Sequence, residues 1–327
     1  MTTAALEISG LRTEFRIGGR WHAAVRDLSL TLRRDETLAL VGESGCGKSV
    51  TALSVMGLVQ PPHGRVAAGR IALDGRDLSG LPERDLERVR GDRMAMIFQE
   101  PMTSLNPVMT VGDQVAESLR IHRGLDRKAA LDRARALFEE VKIPSAAGRL
   151  KEFPHQFSGG MRQRVMIAIA LACDPAVLLA DEPTTALDVT IQAQVLGLLA
   201  DLKDRHGTAV LFITHNLGVV AQIADRVAVM YAGEIVEQGP VGAIFAAPQH
   251  PYTRALFSAI PRLDAPDQAL SAIGGRVPPL DAMPDGCRFA PRCPLARAGC
   301  GAEQVLAEVA AGHAARCHVA TGVLADA

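Results

Sequence analysis

The sequence predicts an α/β fold, with an antiparallel N-terminal β part and a small cysteine-rich C-terminal extension. Three observations predict it. Four short apolar runs, ETLALV (36–41), RMAMIF (93–98), AVLLAD (176–181) and TAVLFIT (208–214), are separated by helical-looking stretches. Apolar strands alternating with helices suggest a sheet covered on both faces. The N-terminal segments ALEISGLRTEFRI, DLSLTL and RIALDG show short alternation and turn signals instead, as an antiparallel sheet with one wet face does. After about residue 260 Pro, Gly, Cys and Arg rise and periodicity fades. The expected division is therefore a first domain over 1–262 and an extension over 263–327.

Between these landmarks, residues 113–142 are rich in Ala, Leu, Arg and Glu at helical spacing, and RVAVMYAGEIVEQG (226–239) reads as a hairpin with Gly233 near its turn. The bulk numbers agree with a globular chain. Its 327 residues are 48% hydrophobic and 22% charged, enough for a sizeable core. The net charge of −1 gives no global field toward nucleic acid or anionic lipid, so no nucleic-acid partner is expected. MTTAALEISG lacks the basic and apolar regions of a signal peptide. The longest stretch without Asp, Glu, Lys or Arg, GTAVLFITHNLGVVAQIA (207–224), carries Thr214, His215, Asn216 and Gln222, so a strand, polar loop and helix explain it better than a membrane span. A cytosolic chain is expected, where disulfides are rare.

The run ETLALV leads into GESGCGKS (42–49), the pattern G-x-x-x-x-G-K-S, with a helix-compatible VTALSVMGL after it. Glycines at this spacing let backbone N–H groups turn inward around a polyphosphate, and the next helix aims its positive end at the same anion. Lys48 supplies a point charge to the outer phosphates and Ser49 a hydroxyl for Mg²⁺. The residues expected around the nucleotide are Gly42, Ser44, Gly45, Cys46, Gly47, Lys48, Ser49 and Val50. Cys46 is read as a small filler.

AVLLADEP (176–183) is a strand ending in two carboxylates. Asp181 suits the acidic residue that helps to hold Mg²⁺ beside a phosphate loop. Glu182 suits a general base directed at the attacking water. An Asp-Glu pair at a strand end is usually a solvated turn, and the upstream loop is what raises it to a catalytic candidate. His215 follows another apolar strand and could reach a γ-phosphate, although a lone His there is ordinarily a loop residue.

The stretch HQFSGGMRQRVMIAIALACDPAVLLADEPTTALD (155–188) closely resembles the signature of the ATP-binding cassette (ABC) transporter ATPases. The family's serine-glycine-glycine motif matches Ser158, Gly159 and Gly160; its D-loop matches Ala186, Leu187 and Asp188; its Q-loop glutamine matches Gln99 and its switch histidine His215. Motif order and spacing agree across roughly 5–260. The resemblance implies a P-loop NTPase ABC ATPase fold: a RecA-like core sheet with helices, an N-terminal antiparallel β subdomain and a helical signature subdomain at about 100–165. It implies ATP and Mg²⁺ as cofactors, with Gln99 near the metal and water. It also implies head-to-tail pairing of two ATPases, so that Ser158, Gly159, Gly160 and Asp188 of one close on the nucleotide of the other. The aromatic that stacks on adenine best matches Phe15. Trp21 is the other candidate and is expected in a longer following turn. The signature departs from LSGGQ at Phe157 and Met161, in the manner of the peptide-transporter branch.

QEPMTSLNPVMTVGDQV (99–115) and QHPYTRALFSAIPRL (249–263) resemble the dipeptide/oligopeptide (and nickel) importer ATPases. That resemblance implies a second, non-identical ATPase subunit, two transmembrane permeases and an extracytoplasmic peptide-binding protein, with this chain peripheral on the cytoplasmic face of the membrane. Peptides are the expected cargo, with nickel, glutathione or another small solute as alternatives. A soluble ABC ATPase acting on nucleic acid or ribosomes would carry two cassettes or a long coiled coil, and neither is visible.

Four of the six cysteines, Cys287, Cys293, Cys300 and Cys317, fall in the extension at C-x5-C-x6-C-x16-C. A four-thiolate metal site explains their clustering better than disulfides or scattered thiols. Spacing does not choose between zinc and an iron–sulfur cluster. The resemblance to peptide-importer ATPases, whose C-terminal GCxFxPRCP module holds such a cluster in some members, implies [4Fe–4S].

Overall fold

The protein is described by a computed structural model. It covers residues 4–100, 104–185, 187–259 and 273–322. The expected boundary at 262–263, Ala186 and residues 101–103 lie outside the described residues. Strands β1 (Ala4–Ile17), β2 (Arg20–Arg33), β3 (Thr37–Val41), β4 (Gly64–Leu73), β5 (Arg76–Asp77) and β6 (Met94–Ile97) precede β7 (Val177–Asp181) and β8 (Ala209–Thr214). β9 (Arg226–Tyr231), β10 (Glu234–Pro240), β11 (Ala307–Ala310) and β12 (His313–Ala315) complete the set. The chain forms two compact units interleaved in sequence: 1–6, 32–36 and 73–213, and then 7–31, 37–72 and 214–327.

In the first unit β6, β7 and β8 pair in parallel, with Met94 opposite Val177 and Val177 opposite Ala209. Every residue of β7 and β8 is buried, which is why these runs are continuously apolar up to their last residues, Asp181 and Thr214, rather than alternating. The helical stretch expected over 113–142 is two helices, Val111–Arg123 and Arg127–Glu140. Gly124 separates them in a left-handed conformation at φ 65°, a common helix ending. Thr110 and Asp126 cap them, accepting from the backbone N–H of Asp113 and Ala129.

In the second unit β1 lies between β2 and β4. Trp21 is inside β2, not in a turn, because the two glycines Gly18 and Gly19, both at positive φ, complete the reversal before it. β3 pairs in parallel with β9, and β9 runs antiparallel to β10 across a turn at Ala232 and Gly233. The C-terminal tail extends this sheet. β12 pairs antiparallel with β10, setting Glu237 opposite Ala315, and β11 pairs with β12. The sequence signal missed these strands because each is three or four residues long, too short to show a period. The unit's core joins Val41, Val229, Tyr231, Ile244 and Tyr252 to Phe289 of the tail. No helix among the described residues is long and apolar enough to cross a membrane.

Candidate nucleotide site

β3 ends at Val41, and the helix Lys48–Val55 starts seven residues later with Gly47 as its N-cap at φ 107°. The intervening loop has no room for side chains at two points. A Cβ on Gly42 would lie 2.1 Å from the Met230 carbonyl oxygen, and one on Gly47 would lie 2.9 Å from Met230 Cε and 3.0 Å from the Ala24 oxygen. Glycine is therefore required for the backbone to fold inward here. Lys48 is buried at 5% exposure, and its ammonium donates to the carbonyls of Gly42 at 2.8 Å and Glu43 at 3.0 Å. Ser44 and Gly45 are exposed at the loop's tip, while Ser49 and Val50 are half-buried. Cys46 is buried, its carbonyl accepts from Gly233 N–H at 2.7 Å, and burial pushes its thiol up. It fills space, as expected. A loop closed around backbone donors, opening a helix and holding an ammonium fits a polyphosphate.

Glu43, in contrast, is more than a spacer. Its N–H donates to the Tyr252 hydroxyl at 2.9 Å, and its carboxylate takes both outer nitrogens of Arg292, at 2.6 and 3.0 Å. Neither partner was singled out by sequence, although QHPYTRAL and GCRFAPRCP, which contain them, were. Phe15 is half-buried, and its ring lies where a Cβ on Gly64 would come within 2.9 Å. One face of the Trp21 ring is taken by the Arg65 guanidinium, 4.3 Å from the ring centroid. His215 is exposed just past β8.

The first unit carries the carboxylates. Asp181 ends β7 at 4% exposure. Glu182 follows in a left-handed conformation at φ 46°, its N–H donating to the Ile213 carbonyl at 2.9 Å. A non-glycine residue held there is strained, and such positions cluster at functional sites. The Glu182 carboxylate accepts from Gln99 Nε2 at 3.3 Å and from the Thr185 hydroxyl at 2.9 Å. The structure thus brings together Gln99 and Glu182, which are far apart in sequence, and adds Thr185, which sequence reasoning did not find.

Ser158 caps the helix Gly159–Leu171 by accepting from Met161 N–H at 3.4 Å. A Cβ on Gly160 would meet Ile191 at 2.6 Å, so this glycine is needed for packing against the helix Val189–His206. Asp188 caps that helix, accepting from Ile191 N–H at 2.9 Å. Its visible role is local.

In the tail, Cys300 and Cys317 are buried at 8% and 7%, and Cys287 and Cys293 are half-buried. The Cys287 N–H donates to the Cys300 carbonyl at 2.9 Å. Burial, helped by the nearby Cys300 and Cys317, pushes the Cys287 thiol up to about 11. Among the described residues, however, no group of three or more His, Cys, Asp or Glu side chains is arranged to hold a metal ion. The thiols gather in one small region without forming the expected ligand set, and the iron–sulfur expectation finds no support in this geometry.

Comparison with known proteins gives consistent relationships. Residues 25–185 match the ABC transporter family and residues 236–300 match the oligopeptide/dipeptide transporter C-terminal region. The chain is 52% identical over 324 residues to a "Putative peptide import ATP-binding protein" of Brucella melitensis, covering 95% of this chain and 96% of that one. It is 50% identical over 316 residues to another of that name from Brucella abortus, covering 97% and 95%. Among solved structures it resembles the ATP-binding cassette MJ0796, in a dimeric post-hydrolysis state bound to ADP and Pi. There the TM-score is 0.65 at 26% identity, covering 72% of this chain and 98% of the other. It also shares the fold of cbiO1 from Clostridium perfringens, with TM-score 0.63 at 24% identity over 75% of this chain and 92% of that one. With the phosphate loop, the strand-end carboxylates and these matches in hand, the chain belongs to the ABC transporter ATPases, in the branch that carries the oligopeptide/dipeptide transporter C-terminal region.

Proposed function

We propose that this chain is an ATP-hydrolysing subunit that powers peptide import. It works at the cytoplasmic face of the membrane with a second, non-identical ATPase, two transmembrane permeases and an extracytoplasmic peptide-binding protein. The observation that carries this reading is the match to peptide import ATP-binding proteins over nearly the whole chain, tail included. The ATPase domain is assigned to 1–262 and the extension to 263–327.

In this reading Gly42, Ser44, Gly45, Cys46, Gly47, Lys48, Ser49 and Val50 hold the phosphates, and Phe15 stacks on adenine. Trp21 is less suited, since Arg65 already covers one face of it. Ser49, Asp181 and Gln99 would hold Mg²⁺, which supplies charge neutralisation on the phosphates. Glu182 takes the proton of the attacking water, and Gln99, already hydrogen-bonded to it, orients that water. His215 contacts the γ-phosphate. Ser158, Gly159, Gly160 and Asp188 face the nucleotide of the partner ATPase in a head-to-tail pair. ATP favours the closed pair because it contacts both subunits only there.

Reconstitution with the permeases and binding protein tests the assignment. Glu182→Gln is expected to lower hydrolysis and peptide uptake by ~10²–10⁴-fold while ATP still binds. Unchanged uptake would overturn the role of Glu182, and no uptake of any peptide by the wild type would overturn the cargo. The tail thiols Cys287, Cys293, Cys300 and Cys317 are read as a four-thiolate site for [4Fe–4S], a reading carried by their clustering in the sequence and by the resemblance of GCxFxPRCP, not by the geometry. Anaerobically purified protein should then be brown and contain iron and sulfide; colourless protein with stoichiometric zinc would sink the cluster.

A further inference from the structure

We propose that the C-terminal tail is a working part of the nucleotide site, with Arg292 positioning the phosphate loop through Glu43. The inference rests on the reading that residues 42–49 hold the phosphates of ATP. Arg292 and Glu43 are 249 residues apart in sequence. Their contact is bidentate: Nη1 donates to Oε2 at 2.6 Å and Nη2 to Oε1 at 3.0 Å. Two parallel bonds fix orientation as well as distance, which a lysine in the same place would not do.

The pair is not an incidental surface contact. The Arg292 side chain is only 4% exposed and that of Glu43 27%. Arg292 is also fixed from its other side. Its Nε donates to the Gly274 carbonyl at 2.8 Å and Nη2 to that of Ile273 at 3.3 Å. Its neighbour Phe289 is buried against Tyr231 and Tyr252. The guanidinium is therefore placed by the tail before it meets the loop.

Glu43 is held at three points by three parts of the chain. Arg292 takes the carboxylate, the Tyr252 hydroxyl accepts from its N–H, and Lys48 donates to its carbonyl at 3.0 Å. Lys48 is the side chain that must reach the outer phosphates, so whatever fixes Glu43 also sets where Lys48 starts from. Coupling of this kind is reciprocal. If the tail steadies the loop for ATP, ATP must steady the tail around Arg292, including the next residue, half-buried Cys293.

Full-length protein tests this with ATP alone. Arg292→Ala and Glu43→Gln are each expected to raise the KM for ATP by about 10-fold with kcat little changed. The double variant should be no worse than the weaker single one, since both remove one contact. Arg292→Lys should recover only part of the loss. In the wild type ATP should slow amide hydrogen exchange over residues 288–293, and in Glu43→Gln it should not. An unchanged KM in both single variants, additive effects in the double, or amide exchange over residues 288–293 that ATP never alters would each overturn the proposal. Should Arg292→Ala fail to fold, the near-isosteric Glu43→Gln carries the test, with Tm recorded for both. A wild type that binds no ATP would overturn the functional reading instead, whereas tight ATP binding indifferent to Arg292 would overturn this inference alone.

Discussion

The phosphate loop and the C-terminal tail solve the same problem in different ways. Over 42–49 the chain follows a strand, turns at glycines and enters a helix, so the groups proposed to meet the anion are sequence neighbours. The tail has no long element of its own over 273–322; its longest strand spans four residues. It is held largely by residues far away in sequence, with local bonds added. Arg316, 7% exposed, donates from Nε to the Ile235 carbonyl at 3.0 Å and from Nη1 to that of Gln304 at 3.1 Å. His313 and Glu237, both buried, meet at 2.7 Å. The comparison teaches that a short motif can encode its chemistry locally, whereas a short domain extension must borrow its core.

The strongest way to break that comparison is to remove the borrowed core. Phe289 is 1% exposed and packs edge-on to Tyr231, with ring centroids 5.2 Å apart, and against Tyr252 at 5.4 Å. Phe289→Ala should destabilise the chain by ~3–5 kcal/mol, measured by urea unfolding. If the tail folded on its own resources, the loss would be confined to it, and global unfolding would be unchanged.

This difference also explains what was legible in the sequence. The four strands of the α/β core lie within one residue of their apolar runs, because a strand buried on both faces has little choice of composition. Asp181 and Glu182 were legible as the end of such a strand. The contact between Gln99 and Glu182 could be expected only through the family resemblance, since no local pattern links two residues on different strand ends. Glu43 and Arg292 were invisible: each looks like an ordinary polar residue until a pairing 249 residues long is known. Asp188 shows the opposite case, where a position expected at an interface also has a plain local duty as a helix cap.

A smaller effect sharpens the comparison through pH. His250 is 1% exposed, and its Nδ1 accepts from Tyr252 N–H at 3.1 Å, capping the helix Pro251–Ser258. Burial holds its pKa down at about 3 from an ordinary 6.5. Above 6.5 the ring is neutral in both folded and unfolded chains, and pH has no purchase on it. Below that value the unfolded chain binds a proton that the folded chain refuses. Stability should therefore fall as pH drops from 6.5 toward about 3, by ~1.4 kcal/mol per pH unit from this group alone. His250→Asn keeps an acceptor for the Tyr252 N–H but cannot titrate. Urea midpoints at pH 7 and pH 5 should differ by less in that variant than in the wild type. An identical pH slope in both would mean that the acid sensitivity of this unit resides elsewhere, and that the residue linking the helix beside Glu43 to the core is indifferent to protons.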